Sequence, residues 1–122
     1  MIRYLDLDDA MHVVRRLGFT PRDAGLLASA LARPAASFGG ADFYDSLALK
    51  AAVILESVVR GHPLIDGNKR TGWTLAVLFL WINGRRHDLG ADAAFDLVLG
   101  VAEGRVGLDE SADLLAAGLV PR

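Results

Sequence analysis

The chain of 122 residues contains no cysteine. That absence excludes a disulfide framework, a thiolate metal site and a thiol nucleophile, and it suits a reducing cytoplasm, the expected location. An excess of one charge is missing too. Thirteen Lys and Arg face 15 Asp and Glu, for a formal net charge of −2. Proteins that grip nucleic acid usually carry a clear basic excess, so no direct nucleic-acid partner is expected. The N-terminus shows Arg3, Asp6, Asp8 and Asp9 and lacks the apolar stretch of a signal peptide. The most apolar run, Trp73 to Ile82, is far shorter than the roughly 20 residues that cross a bilayer. It reads as a buried central helix, and no membrane partner is expected. There is no internal repeat and no low-complexity tract. What is abundant is apolar surface: 52% of the residues are hydrophobic, enough for one core, and the length suits a single domain over residues 1–122.

No segment alternates as a half-buried strand does. The expected fold is all-α, a compact bundle of about six helices with at most a short hairpin. Asp6, Asp8 and Asp9 favour the start of a first helix, whose apolar stripe Ala10, Val13, Val14 and Leu17 ends at Gly18. Thr20 as cap and Pro21 at the first helical position open a second helix, which Pro34 ends. From Pro34 to Tyr44 the residues Ser37, Phe38, Gly39, Gly40 and Phe43 predict a loop or short hairpin, with the two aromatics as anchors. A third helix spans about Ser46 to Arg60 and a fourth runs from just after Asp66 to Asn83. Both are apolar nearly all round, so they belong in the middle of the domain, although Lys50, Glu56 and Ser57 interrupt the third. Arg85 to Asp88 reads as a polar turn. A fifth helix covers about Ala91 to Glu103, and Asp109 caps a last one through Ala117.

The densest chemistry lies between the third and fourth helices, in Gly61-His62-Pro63-Leu64-Ile65-Asp66-Gly67-Asn68-Lys69-Arg70-Thr71. Pro63 disfavours the α region for His62, so Gly61 is expected to close the third helix in the left-handed conformation. Asp66 is expected to cap the fourth. The first-turn N–H groups of a helix lack intrahelical partners and attract anions. Lys69 and Arg70 add two cations at an end that is already positive, against the dipole. A bound anion, most simply a polyphosphate, resolves that conflict, and conflicts of this kind mark functional sites.

The string His62-Pro63-Leu64-Ile65-Asp66-Gly67-Asn68-Lys69-Arg70 resembles the signature of the Fic/Doc proteins, and within them the Doc (death-on-curing) branch. Fic nucleotidyl transferases usually have Gly at the position of Lys69 and a second Arg where Trp73 stands. The likeness extends to the chain length, the Met1–Leu17 opening, the Tyr44–Lys50 region, Arg60 and Asn83-Gly84. Leu64 departs from it, since the family usually has Phe there. The resemblance implies a Fic/Doc-like helical bundle in which the 34–44 segment is the flap that docks a target. It also implies a toxin that phosphorylates a protein Ser or Thr with ATP and Mg²⁺, with elongation factor Tu as target. Some Fic proteins carry an inhibitory helix marked Ser/Thr-x-x-x-Glu-Gly/Asn. No such string occurs here, which implies restraint in trans by an antitoxin packing on an apolar groove near the flap.

Within that reading His62 is the general base, because an imidazole exchanges its proton near neutral pH; outside it, His62 only bonds at a helix junction. His12 and His87 have no such context. Asp66 is a Mg²⁺ ligand, a helix cap or both. Gly67 permits close approach of phosphate, and Asn68 positions phosphate or braces the loop. Lys69 and Arg70 neutralise the transferring group. Arg60 holds nucleotide, flap or Asp66, or serves the structure alone. Thr71, Trp73 and Trp81 read as packing residues. Three rival functions stand beside phosphoryl transfer: AMP transfer to a protein hydroxyl, a non-catalytic partner-binding module, and polyphosphate binding without transfer. A Walker loop is absent, the chain is too short for a protein kinase fold, and three scattered histidines do not suggest zinc.

Overall fold

The computed structural model describes residues 1–122. Six helices carry the fold: α1 (Leu7–Leu17), α2 (Ala24–Ala32), α3 (Leu47–Gly61), α4 (Asn68–Ile82), α5 (Ala91–Ala102) and α6 (Leu108–Ala117). Helix α3 is the hub and touches α2, α4, α5 and α6. Nine of its fifteen residues are buried, among them Ala48, Ala51, Val53, Ile54, Leu55 and Val58, as a helix apolar on every side requires. Helix α4 lies against it. At Gly72 an added Cβ would sit 3.0 Å from a Val59 methyl and 3.3 Å from Val58 Cβ, so the missing side chain sets how closely the two central helices approach. Trp81, expected inside, is about half exposed.

The expected hairpin is present as β1 (Ser37–Phe38) and β2 (Ala41–Asp42), paired antiparallel across Gly39-Gly40. Its aromatics are not anchors: Phe38 is 84% exposed and Phe43 67%. The anchor is Lys50, which in the sequence looks like an interruption of a helix. It is only 2% exposed. Its ammonium donates to Pro34 O (3.0 Å) and to Asp42 Oδ2 (3.2 Å) and lies 5.6 Å from the centre of the Tyr4 ring. A buried cation is tolerated only when it is paired and hydrogen-bonded, and these contacts tie the hairpin to the core.

A second small sheet departs from expectation. Arg85–His87 is a strand, β3, paired antiparallel with β4 (Leu119–Pro121), where the sequence suggests only a polar turn. Three residues are too few for an alternation to be legible. The chain ends gather here: Arg3 exchanges two hydrogen bonds with the Asn83 side chain, and Arg122 N donates to Gly84 O (3.0 Å).

Two helix starts also differ from expectation. The cap of α2 is Asp23, whose Oδ1 accepts from Leu26 N (3.1 Å), because Thr20 and Pro21 are engaged elsewhere. Gly107, not Asp109, precedes α6, and Asp109 sits inside its first turn.

Emptying the Lys50 site in Lys50→Ala is expected to cost about 2–5 kcal/mol in urea unfolding, the range for removing a comparable buried volume. Asp42→Asn is expected to cost about 1–3 kcal/mol, since it leaves the buried ammonium with hydrogen-bond partners but no counter-charge, while amide exchange from Ser37 to Phe43 accelerates.

Candidate active site

Helix α3 continues one residue further than its glycine suggests. Gly61 is its last helical residue, and His62 takes the left-handed position with φ 51° and ψ 55°. It is the one non-glycine residue of the chain at positive φ. That backbone costs an L residue about 1–2 kcal/mol. Pro63 bars the right-handed alternative, and His62 N still closes the helix by donating to Val58 O (3.2 Å).

Helix α4 likewise begins one residue later than expected. Gly67 is its cap, at φ 82°, and no side chain caps the terminus. Asp66 instead accepts the Gly67 N–H through Oδ1 (2.8 Å). The first backbone donor satisfied within the helix is Thr71 N, on Gly67 O (2.9 Å), so the three N–H groups before it have no intrahelical acceptor. The side chains of Asp6, Asp23 and Ser46 cap α1, α2 and α3, while α5 and α6 carry acidic residues in their first turns. Helix α4 has neither device, and it adds Lys69 and Arg70. Both are exposed and neither joins any of the chain's ion pairs.

These groups share one cleft. A cavity of about 420 Å³ is lined by His62, Asp66, Gly67, Asn68, Lys69 and Arg70, with Val59, Ile65 and Ala102 as its apolar wall. An exposed imidazole, a carboxylate and an uncapped helix start with two free cations therefore face the same space. Asp66 stands alone as an acidic group, with no cluster of three metal-ligating side chains around it, and its second oxygen accepts no protein hydrogen bond. A single carboxylate completed by substrate phosphates and water is a usual way to hold Mg²⁺, so the residues fit that ion.

The other candidate residues make mostly structural contacts. The Asn68 amide is a brace: Oδ1 accepts from Leu64 N (2.9 Å) and Nδ2 donates to Leu64 O (3.0 Å). Gly67 is not an open approach for phosphate on its Cβ side, because an added Cβ would lie 2.4 Å from the Phe19 ring. Arg60 does not line the cleft. Its guanidinium donates to Val101 O (2.9 Å) and Val106 O (3.2 Å) and stands 3.7 Å from Glu56, tying α3 to the α5–α6 connection. The hairpin residues Ser37, Phe38, Gly39, Gly40 and Phe43 line no part of it either. The groove near the hairpin's foot, with Ser29, Arg33, Glu56 and Ser57, is polar. The apolar groove lies elsewhere, between α4 and α5, where Trp73, Ala94, Phe95, Val98 and Leu99 meet Lys69 and Arg70. Trp73 also packs edge-on against His87 (5.0 Å), whose Nδ1 accepts from Leu89 N (3.2 Å). Leu64 is buried in the core at 1% exposure.

No local pattern signals what holds this junction from behind. The connection between α1 and α2 runs along it residue by residue. Phe19 packs on Gly67, Thr20 O accepts from Ile65 N (3.0 Å), and Pro21 bridges to Leu64. The backbone N–H groups of Arg22 and Asp23 donate to Pro63 O (2.8 and 3.0 Å), and the Arg22 side chain reaches His62 O, 40 residues further along the chain. Sequence periodicity does not register partners at that separation.

A sequence model of the Fic/DOC family matches residues 4–80. The protein described as Toxin Doc from Mycolicibacterium smegmatis is 43% identical over 122 aligned residues, which cover 95% of this chain and 93% of that protein.

Gly67→Ala is expected to destabilise the fold by more than about 1 kcal/mol, because φ stays positive and the Phe19 ring is in the way. In urea unfolding, adding Phe19→Ala to Gly67→Ala relieves the clash and leaves the backbone penalty.

Proposed function

The chain is a member of the Fic/DOC family, and on that footing we propose that it is the toxin of a toxin–antitoxin pair. Its activity, in this reading, is transfer of the γ-phosphoryl group of ATP to a serine or threonine hydroxyl of a protein. The observation that carries the proposal is the shared cleft of His62, Asp66 and the uncapped start of α4 with Lys69 and Arg70. A polyphosphate supplies the negative charge that this helix start lacks. The three open N–H groups and the two cations hold its oxygens, and they stabilise charge on the transferring group in a site that needs no reorganisation. Asp66 would hold Mg²⁺, which would supply charge neutralisation at the phosphates. His62 takes the proton of the acceptor hydroxyl through an imidazole nitrogen. The hydroxyl oxygen bonds to the γ-phosphorus as the bond to the β–γ bridging oxygen breaks, and ADP leaves.

Trp73 favours phosphoryl over AMP transfer. It supplies no second cation, and its ring is turned to His87 and the α4–α5 groove. The target is proposed to be elongation factor Tu, docked along the exposed hairpin with Phe38 and Phe43, so that translation stops. The location is cytoplasmic, and no helix is long and apolar enough to cross a membrane. Restraint comes in trans from an antitoxin, since the chain carries no inhibitory string of its own, and the α4–α5 groove offers it apolar cover beside Lys69 and Arg70.

Intact-mass spectrometry of elongation factor Tu after incubation with this protein, ATP and Mg²⁺ tests the reading. The expected result is a phosphoryl increment whose rate falls about 10²–10⁴-fold in His62→Ala, the usual worth of a general base. An AMP increment would assign the chain to nucleotidyl transfer instead. No increment in the wild type would remove this target.

A further inference from the structure

We propose that Arg22 is the positioning residue of His62. Its guanidinium sits at the C-terminus of α3, with Nε 2.9 Å from His62 O and a terminal nitrogen bonded to His62 O and 3.4 Å from Gly61 O. The carbonyls at a helix C-terminus lack intrahelical donors and carry the negative end of the dipole. Arg22 makes no ion pair with any carboxylate, and its charge is directed to these carbonyls.

The effect on His62 follows from its two backbone torsions. On the φ side the residue is fixed by its own N–H, which donates to Val58 O (3.2 Å). On the ψ side nothing in α3 acts. The direction of the His62 carbonyl is set by Arg22, while the next carbonyl, Pro63 O, is held by the backbone N–H groups of Arg22 and Asp23 (2.8 and 3.0 Å). Arg22 thus grips the peptide planes on both sides of Pro63. With φ and ψ pinned at 51° and 55°, the imidazole is confined to the few staggered directions its backbone allows, over a cleft that α3 alone would not hold in register. The fork suits adjacent carbonyls as the point charge of lysine does not.

This inference rests on His62 being the base of the proposed reaction, so the test has one arm that depends on turnover and one that does not. In the first, Arg22→Met and Arg22→Lys are compared with wild type for kcat, ATP KM and thermal unfolding. Arg22→Met is expected to lose about 10²-fold in kcat, the scale of an ångström of misplacement, with ATP KM within about twofold and a cooperative unfolding transition retained. Arg22→Lys is expected to fall between them. In the second arm, the His62 ring signal is followed by NMR in the absence of nucleotide, with the Asn68 side-chain amide as internal control. Arg22→Met is expected to shift the ring signal toward that of a mobile histidine and leave the Asn68 amide in place. If Arg22→Met does not fold, Arg22→Lys carries both arms, with a smaller kcat loss and a smaller ring shift expected. A folded variant with unchanged ring signal and unchanged kcat overturns the proposal. So does equal movement of the ring and Asn68 signals, which would show general loosening. Absence of turnover in wild type would dispose of the proposed reaction and leave the NMR arm to decide on Arg22.

Discussion

The molecule depends on one long-range pairing, the six residues from Gly18 to Asp23 laid against the six from His62 to Gly67. Each half is irregular and would be floppy alone. Together they satisfy one another's backbone groups through Thr20 O, Pro63 O and the Pro21–Leu64 bridge. The pairing fixes the direction in which α3 ends and α4 begins, and with it the polar groups that line the cleft. It also explains two left-handed residues so close together. Gly67 takes that conformation at little cost and leaves room for Phe19. His62 takes it at a cost that the surrounding bonds offset.

A second constraint runs against stability. An uncapped helix start with two unpaired cations is the least favourable of the six in this chain, and the remedies used at the others are withheld. Local rules are kept at Asp6, Asp23 and Ser46 and broken at Gly67, Lys69 and Arg70. The break lies where the family signature lies, and a bound anion would mend it.

Much of this is legible in the sequence because it is local. The periodic apolar positions mark the helices to within about three residues, and the charge conflict at Lys69 and Arg70 by itself points to the cleft. One-residue offsets at His62 and Gly67 arise because the deciding contacts come from the α1–α2 connection, which no pattern within Gly61–Thr71 encodes. Lys50 is deceptive for the same reason: a cation on an apolar helix looks like a solvated gap until Pro34 O and Asp42 are seen beside it. The Asn68 and Arg60 side chains choose backbone partners, and residue type alone does not separate bracing from binding. Strands β3 and β4 are too short to show alternation.

The meeting of distant segments at the end of α4 bears on the order in which the parts become available during synthesis. A growing chain can close Arg3 onto Asn83 as soon as α4 has emerged, whereas β3 must wait for Leu119 to Pro121. The signature residues and their brace are complete in the nascent chain by Arg70. The wall that Ala102 contributes, and the α5–α6 connection that Arg60 fastens, come only afterwards. Reactive groups are thus synthesised before the enclosure that makes them a site, and the interval is set by the stretch of chain between Arg70 and Ala102.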